Sequence, residues 1–244
     1  MARKMNPAQK EKKEKKVSWA YGVTTVPQRV DELLPRTLAS LAAGGFDSPR
    51  LFVDGVKDAT DYDKFGFNVT TRNPQIKVFG NWVLSMWELY LRDPDADRYA
   101  LFQDDFVTCR NLRQYLEVCS YPAKGYWNLY TFPENEKLVE PGGSTGWFLS
   151  RQTGRGAVAL VFNREAVVTL LEQPHIVRRS ISAGRRRYRA VDGAIVESFR
   201  KVGWSEYTHN PSLVQHTGMK STVRKDGIPE KWESKTFRGE DFDA

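Results

Sequence analysis

Three short apolar runs in this chain each stop on polar or acidic residues, and that punctuation constrains the fold more than any other feature. Val17, Trp19, Tyr21 and Val23 alternate with the two-residue period of a strand and lead into Thr24-Thr25. Leu51-Phe52-Val53 closes on Asp54-Gly55, and Tyr99-Ala100-Leu101-Phe102 closes on Gln103-Asp104-Asp105. Between the first two runs the pattern predicts a helix beginning near Pro35. Its apolar face is Leu38, Leu41 and Ala42, and Gly44-Gly45 ends it. Strand, loop, helix, buried strand is the opening of an α/β domain.

The remaining pattern continues the alternation. Residues 56–75 read as a polar loop. Asn81 is placed as the cap of a helix through Leu91, with Trp82, Val83, Met86, Trp87 and Tyr90 three and four apart. Asn111 opens a helix carrying Leu112, Tyr115, Leu116 and Cys119, and Asn163 caps another to Leu171. Strands are expected at 127–132, 157–162 and 205–208. Asp192 is read as the cap of a helix whose buried positions are Ile195, Val196, Phe199 and Val202, stopped by Gly203. The stretches 134–155 and 174–191 show no period, and the second suits a mobile loop. No internal repeat appears. The chain therefore divides into a basic disordered arm (1–16), one α/β domain (17–220) and a C-terminal tail (221–244) that packs back through Trp232, Phe237 and Phe242.

With 40% hydrophobic and 12% aromatic residues, the 244-residue chain has ample material for a core and is not a disordered protein. Its longest apolar run, Ala157–Phe162, is far short of the roughly 20 residues that span a bilayer, so no membrane span is expected. Cys109 and Cys119 make no disulfide framework, which favours a reducing, cytoplasmic setting. The net charge is +7, of which residues 1–16 carry +5. A second basic cluster, Arg178, Arg179, Arg185, Arg186, Arg187 and Arg189, contains no acid. Such blocks fit polyanions, or are simply a solubilising tail and a solvated loop.

Several chemistries are excluded by their missing signatures. There is no phosphate loop, no glycine-rich dinucleotide fingerprint after a strand and no serine nucleophile elbow. His175, His209 and His216 lack zinc spacing with the two cysteines. What remains is Asp104-Asp105. An acidic pair beyond the carboxyl end of a central strand sits where open α/β sheets bind ligands. There it can hold a hard divalent cation together with phosphate oxygens. Two solvated turn aspartates are the plain alternative.

Taken together, five segments resemble the GT-A glycosyltransferases, which move a sugar from a nucleotide-sugar donor and hold a metal on an Asp-x-Asp-like motif. The segments are Gly22-Val23-Thr24-Thr25-Val26-Pro27-Gln28-Arg29, Phe52-Val53-Asp54-Gly55, Phe102-Gln103-Asp104-Asp105-Phe106, Asp192-Gly193-Ala194-Ile195 and Pro211-Ser212-Leu213-Val214-Gln215-His216-Thr217-Gly218. The closing segment is similar to N-acetylglucosaminyltransferase-like and bacterial or phage members. The resemblance implies one Rossmann-like domain with a mostly parallel central sheet flanked by helices. It places Thr24, Thr25, Pro27 and Arg29 along the nucleotide of a donor, a UDP-sugar foremost, with Asp54 on the base or ribose. Asp104 then touches the ribose or sugar. Asp105 and His216 hold a divalent cation, Mn2+ or Mg2+, although the motif here reads Gln-Asp-Asp and lacks its first carboxylate. Asp192 becomes the catalytic base of an inverting transfer.

For the acceptor, three classes compete. One is a hydroxymethylated pyrimidine in DNA, as in phage-type DNA modification. Arg185, Arg186, Arg187 and Arg189 would meet its phosphates, and Trp147, Phe148 or Tyr188 would receive a flipped base. The second is a saccharide, lipid-linked or protein acceptor. The third is a non-catalytic nucleotide-sugar or nucleic-acid binding module, which would leave Asp105, Asp192 and His216 as coincidence.

Overall fold

The computed structural model describes residues 16–140, 143–181, 191–217 and 232–244. The first apolar run forms β1 (Trp19–Thr25), followed by α1 (Leu33–Ala43), β2 (Arg50–Asp54) and β3 (Val69–Arg72). Then come α2 (Lys77–Arg92), β4 (Arg98–Gln103), β5 (Phe106–Thr108), α3 (Leu112–Val118), β6 (Gly125–Asn128) and α4 (Pro133–Glu136). The rest is β7 (Gly146–Leu149), β8 (Ala159–Asn163), α5 (Arg164–Leu171), α6 (Pro174–Ile181), α7 (Val191–Lys201), β9 (Ser205–Asn210) and β10 (Val214–His216). Eight strands form one sheet in the order β3-β2-β1-β4-β8-β6-β9-β7, and β5 pairs with β10 in a separate ribbon.

Four of the seven pairings in the large sheet are parallel, namely β1 with β2, β1 with β4, β2 with β3 and β6 with β9. The apolar runs are continuous because both faces of the sheet are covered. Along β4, Tyr99 and Leu101 enter one core cluster while Ala100 and Phe102 enter the other. Along β8 the same division separates Leu160 and Phe162 from Ala159 and Val161. The first cluster takes the apolar faces of α2, α5 and α7; the second takes α1, α3 and β10. Trp232 and Phe242 pack on the second cluster, and Asp243 bridges to Arg110. Phe237 is half-buried and outside both clusters.

The structure corrects several local expectations. Helix α2 starts at Lys77, so Asn81 lies inside it, buried, and donates to the Phe52 carbonyl at 2.9 Å instead of capping. Ala42, Leu91 and Val202 are exposed, because each falls at a helix end turned from the sheet. The polar stretch 56–75 contains β3, an edge strand with no fully buried side chain to betray it. The irregular stretch 134–155 contains β7. The strand expected at 127–132 ends at Asn128. Residues 174–181, expected in a mobile loop, form α6, anchored by the fully buried Ile176, too little apolar material to give a readable period. Asn163 caps α5 as expected, its Oδ1 accepting from Ala166 N at 2.8 Å. Among the described residues, no helix is long and apolar enough to cross a membrane.

Candidate active site at the carboxyl ends of the strands

Parallel pairing brings the carboxyl ends of β1, β2 and β4 to one edge, with Thr24 opposite Gln103 and Thr25 opposite Val53. Asp104 and Asp105 occupy the link from β4 to β5 on that edge, both at most 3% exposed. Helix α1 fixes β5 from behind. Thr37 Oγ1 donates to the Phe106 carbonyl at 2.9 Å, and Ser40 Oγ accepts from Thr108 N at 2.9 Å. The antiparallel register of β5 and β10 sets His216 opposite Phe106, and Thr217 N donates to the Asp105 carbonyl at 2.8 Å. Residues over a hundred positions apart are thereby made neighbours.

Arg29 ends a 3-10 turn over Pro27–Arg29, with Pro27 in its first position. Its Nη1 donates to Asp104 Oδ1 and, at 2.7 Å, to Asp105 Oδ2. Thr25 Oγ1 donates to Asp104 Oδ2 at 2.6 Å, so both oxygens of Asp104 are engaged internally. Burial, with the adjacent Asp105 carboxylate, pushes Asp104 above the ordinary carboxylate range, against the pull of Arg29 and Thr25. Asp105 Oδ2 also lies 3.5 Å from His216 Nε2, while Asp105 Oδ1 is buried without a hydrogen-bond partner. Burial lowers the His216 pKa and Arg29 lowers it further, against Asp105, which favours the neutral imidazole that binds metals. Thr24 Oγ1 donates to the Phe102 carbonyl at 3.2 Å, a bond within the sheet.

Asp54, expected on the base or ribose, is 1% exposed and its Oδ1 accepts from Ile76 N at 2.8 Å, where α2 begins. Its Oδ2 has no hydrogen-bond partner. One oxygen thus holds the helix start. Three further groups at this edge are not singled out by the sequence. Tyr62 is buried with an unpartnered hydroxyl and its pKa is pushed up to about 12, by burial first and by Asp104 next. Tyr130, also buried with an unpartnered hydroxyl, has its ring 6.4 Å from that of His216. Arg72 pairs with Glu88 at 2.5 Å and keeps Nε and Nη2 unpartnered. Buried aromatics in apolar surroundings read as core; only their stranded hydroxyls, visible in three dimensions, say otherwise.

Asp192 stands in the first turn of α7, one residue inside the helix rather than ahead of it. Its Oδ2 accepts from Gly156 N and its Oδ1 from Gly193 N, each at 2.9 Å. Burial raises its pKa, and the backbone donors and Arg155 pull it back. The Gly156 backbone lies against the Tyr130 ring, so Asp105, His216, Tyr130, Gly156 and Asp192 form one unbroken series of neighbours. Beside Asp192 opens a cleft of about 770 Å³, lined by Gln152, Arg155, Glu197, Arg200 and Lys201 among others. Lys201 pairs with Glu197 at 3.5 Å. Arg185, Arg186, Arg187 and Arg189 lie outside the described residues. Trp147 stacks on Trp127 at 4.5 Å as part of the second core, and the cleft lining does not include it.

Gly156 has φ +74°, and a Cβ there would overlap the Tyr130 ring. Gly156→Ala is expected to destabilise the protein by about 1–3 kcal/mol, because the Asp192 donor must move with the backbone. The thermal midpoint checks this.

Among the described residues, no three His, Cys, Asp or Glu side chains cluster as a metal site. Asp105 and His216 alone supply a carboxylate oxygen lacking a partner and a neutral imidazole facing the same carboxylate. Two protein donors fit a hard cation that takes its other ligands from phosphate and water.

The arrangement of strands and helices matches a solved structure, GalNAc-T7 with UDP, GalNAc and Mn2+, at a TM-score of 0.58 and 10% sequence identity. This is a GT-A glycosyltransferase fold. The match covers 84% of this chain and 44% of the other, so the chain spans less than half the length of that GT-A structure. No protein-family model and no curated protein sequence matches the chain. Within the GT-A sheet, the strand edge carrying Asp104 and Asp105 is also the edge that the ligand rule for open α/β sheets selects.

Proposed function

We propose that the protein is a cytoplasmic glycosyltransferase that moves a sugar from a nucleotide-diphosphate donor, a UDP-sugar foremost, to an acceptor hydroxyl with inversion. The observation that carries this reading is the joining of Arg29, Asp104, Asp105 and His216 to Asp192 along one edge of a GT-A sheet. Thr24, Thr25, Pro27, Arg29 and Asp104 build the wall against the nucleotide, and the free Oδ2 of Asp54 meets its base or ribose. Asp105 and His216 would hold a divalent cation, Mn2+ or Mg2+, which when bound would supply positive charge against that of the leaving diphosphate. Asp192 accepts the proton of the acceptor hydroxyl as its oxygen bonds to the anomeric carbon and the bond to the diphosphate breaks. One displacement with one base inverts that carbon.

The acceptor in this reading is DNA bearing a hydroxymethylated pyrimidine. Its support is chemical: Arg155 and Arg200 line the cleft beside Asp192, and Arg185, Arg186, Arg187 and Arg189 precede that residue in the chain. Guanidinium groups suit phosphates, which position a nucleic acid without reading its sequence. Incubation with a panel of nucleotide sugars and either hydroxymethylated DNA or oligosaccharides, read by mass spectrometry, tests it. Sugar mass on nucleosides supports the DNA acceptor, and sugar mass on oligosaccharides alone replaces it.

Salt gives a second, quantitative check. Neutralising Arg155 and Arg200 is expected to raise the KM for DNA and to lower its log–log salt slope by about 0.9 for each phosphate no longer neutralised. The donor KM should stay constant. An acceptor KM indifferent to salt and to both substitutions removes the nucleic-acid reading.

A further inference from the structure

Behind the loop that holds Asp192 lies a carboxylate that the transfer reaction as described does not use. Glu206 of β9 is 2% exposed, and three side chains donate to it. Tyr126 Oη and Asn128 Nδ2 reach its Oε1 at 2.9 and 3.1 Å, and Ser150 Oγ reaches its Oε2 at 2.6 Å. An ionised carboxylate only accepts, so three donors match its charged form. A buried charge is costly unless fully hydrogen-bonded, and a glutamine or an apolar residue would fill this position at less expense. Its placement becomes intelligible through what it grips.

The loop from Ser150 to Gly156 is fastened to Glu206 and its neighbours at each step. Gln152 makes a two-way pairing with the Glu206 backbone, Nε2 to the carbonyl at 2.8 Å and Oε1 from the amide at 2.9 Å. Gln152 and Gly154 both adopt left-handed φ values, of 57° and 65°. At Gly154 a Cβ would stand 2.5 Å from the Asp192 carbonyl oxygen, so the loop lies directly on the start of α7. Asn128 uses the same Nδ2 that binds Glu206 to donate to the Arg155 carbonyl at 3.1 Å. The next residue, Gly156, gives its N–H to Asp192 Oδ2. The sequence of contacts is therefore Glu206, Asn128, the 155–156 peptide, Asp192.

We propose that Glu206 is a positioning residue for Asp192, holding the base in place through Asn128 and the 150–156 loop. This rests on the reading of Asp192 as the base. The charged and titratable groups around Asp192 are Arg155 on the loop, Glu206 on β9, Tyr126 on β6, and Glu197, Arg200 and Lys201 further along α7. Arg155 favours the ionised base, while the repulsion between the two acids falls on Glu206, which burial raises first and Asp192 raises further, against its three donors.

The test compares wild type with Glu206→Gln, which keeps size and one acceptor but removes the charge. The expected result is kcat reduced about tenfold with donor KM unchanged. The Gly156 amide, which binds Asp192, is followed in parallel by NMR, and its resonance should move with the substitution whether or not Asp192 is the base. An unmoved Gly156 resonance overturns the proposal. A moved resonance combined with a fully active Asp192→Asn enzyme upholds the positioning and overturns the base assignment instead. Should Glu206→Gln fail to fold, Gln152→Ala tests the same loop through its bonds to the Glu206 backbone. A fall in kcat at constant donor KM supports it, and unchanged kcat overturns it.

Discussion

Replacing Asp192 with asparagine is expected to leave a folded, donor-binding protein whose transfer rate has fallen by ~10²–10⁴-fold, the usual cost of losing a general base. From the sequence, with Asp192 read as a simple helix cap, the stability change should stay below ~0.5 kcal/mol, since asparagine caps about as well. The structure revises that figure. Both carboxylate oxygens accept a backbone N–H, from Gly156 and Gly193, and an asparagine amide has only one accepting atom. One N–H is left facing another donor, at a cost of about 1 kcal/mol. The pattern to look for is a collapsed kcat, a near-normal donor Kd and a modestly lowered melting temperature. Because burial raises the Asp192 pKa, the acid limb of the wild-type profile should stand above the ordinary aspartate range. A base at Asp192 works only when ionised, so on the proposed reading activity should be lost as pH falls through that raised value. Normal turnover by the variant reduces Asp192 to a helix-stabilising residue, and retention of anomeric configuration in the wild-type product removes the single-displacement mechanism.

Asp105→Ala carries the second large effect. Transfer should drop to background, and a calorimetric titration with Mn2+ should lose the binding expected of the wild type. The substitution takes from His216 its carboxylate neighbour and from Arg29 one of its two partners. Arg29 remains paired with Asp104, so the fold should survive with a loss of about 1–3 kcal/mol. Wild-type activity in excess chelator together with a harmless substitution would exclude the metal role of this residue. If chelation is harmless and the substitution is not, Asp105 acts through Arg29 rather than through a cation.

The parts of this site that can be read in advance share a cause. Leu51–Val53 and Tyr99–Phe102 are apolar on both faces because helices cover both sides of the sheet, and the acids after them stand out against that background. Asp105 and His216 are paired by resemblance alone, since no spacing rule spans the register of β5 on β10. Asp54 shows a role the sequence does not display. An acid after a strand reads as a ligand contact, and its Oδ1 also holds the backbone where α2 begins. Tyr62, Tyr130 and Glu206 carry no signal. Two look like ordinary core aromatics, and the third sits in a strand whose alternation makes a glutamate look solvent-facing. Their significance depends on which polar atoms have partners, and that is a property of the assembled core.

The stitching of α1 to β5 has a mechanical meaning. Thr37 and Ser40 bind the helix to the very strand that follows Asp105, while Arg29, just ahead of that helix, grips both aspartates. Helix, strand and guanidinium are therefore cross-linked into one unit. A displacement of α1 is expected to carry the acidic cluster with it as a whole, with the spacings inside the cluster kept.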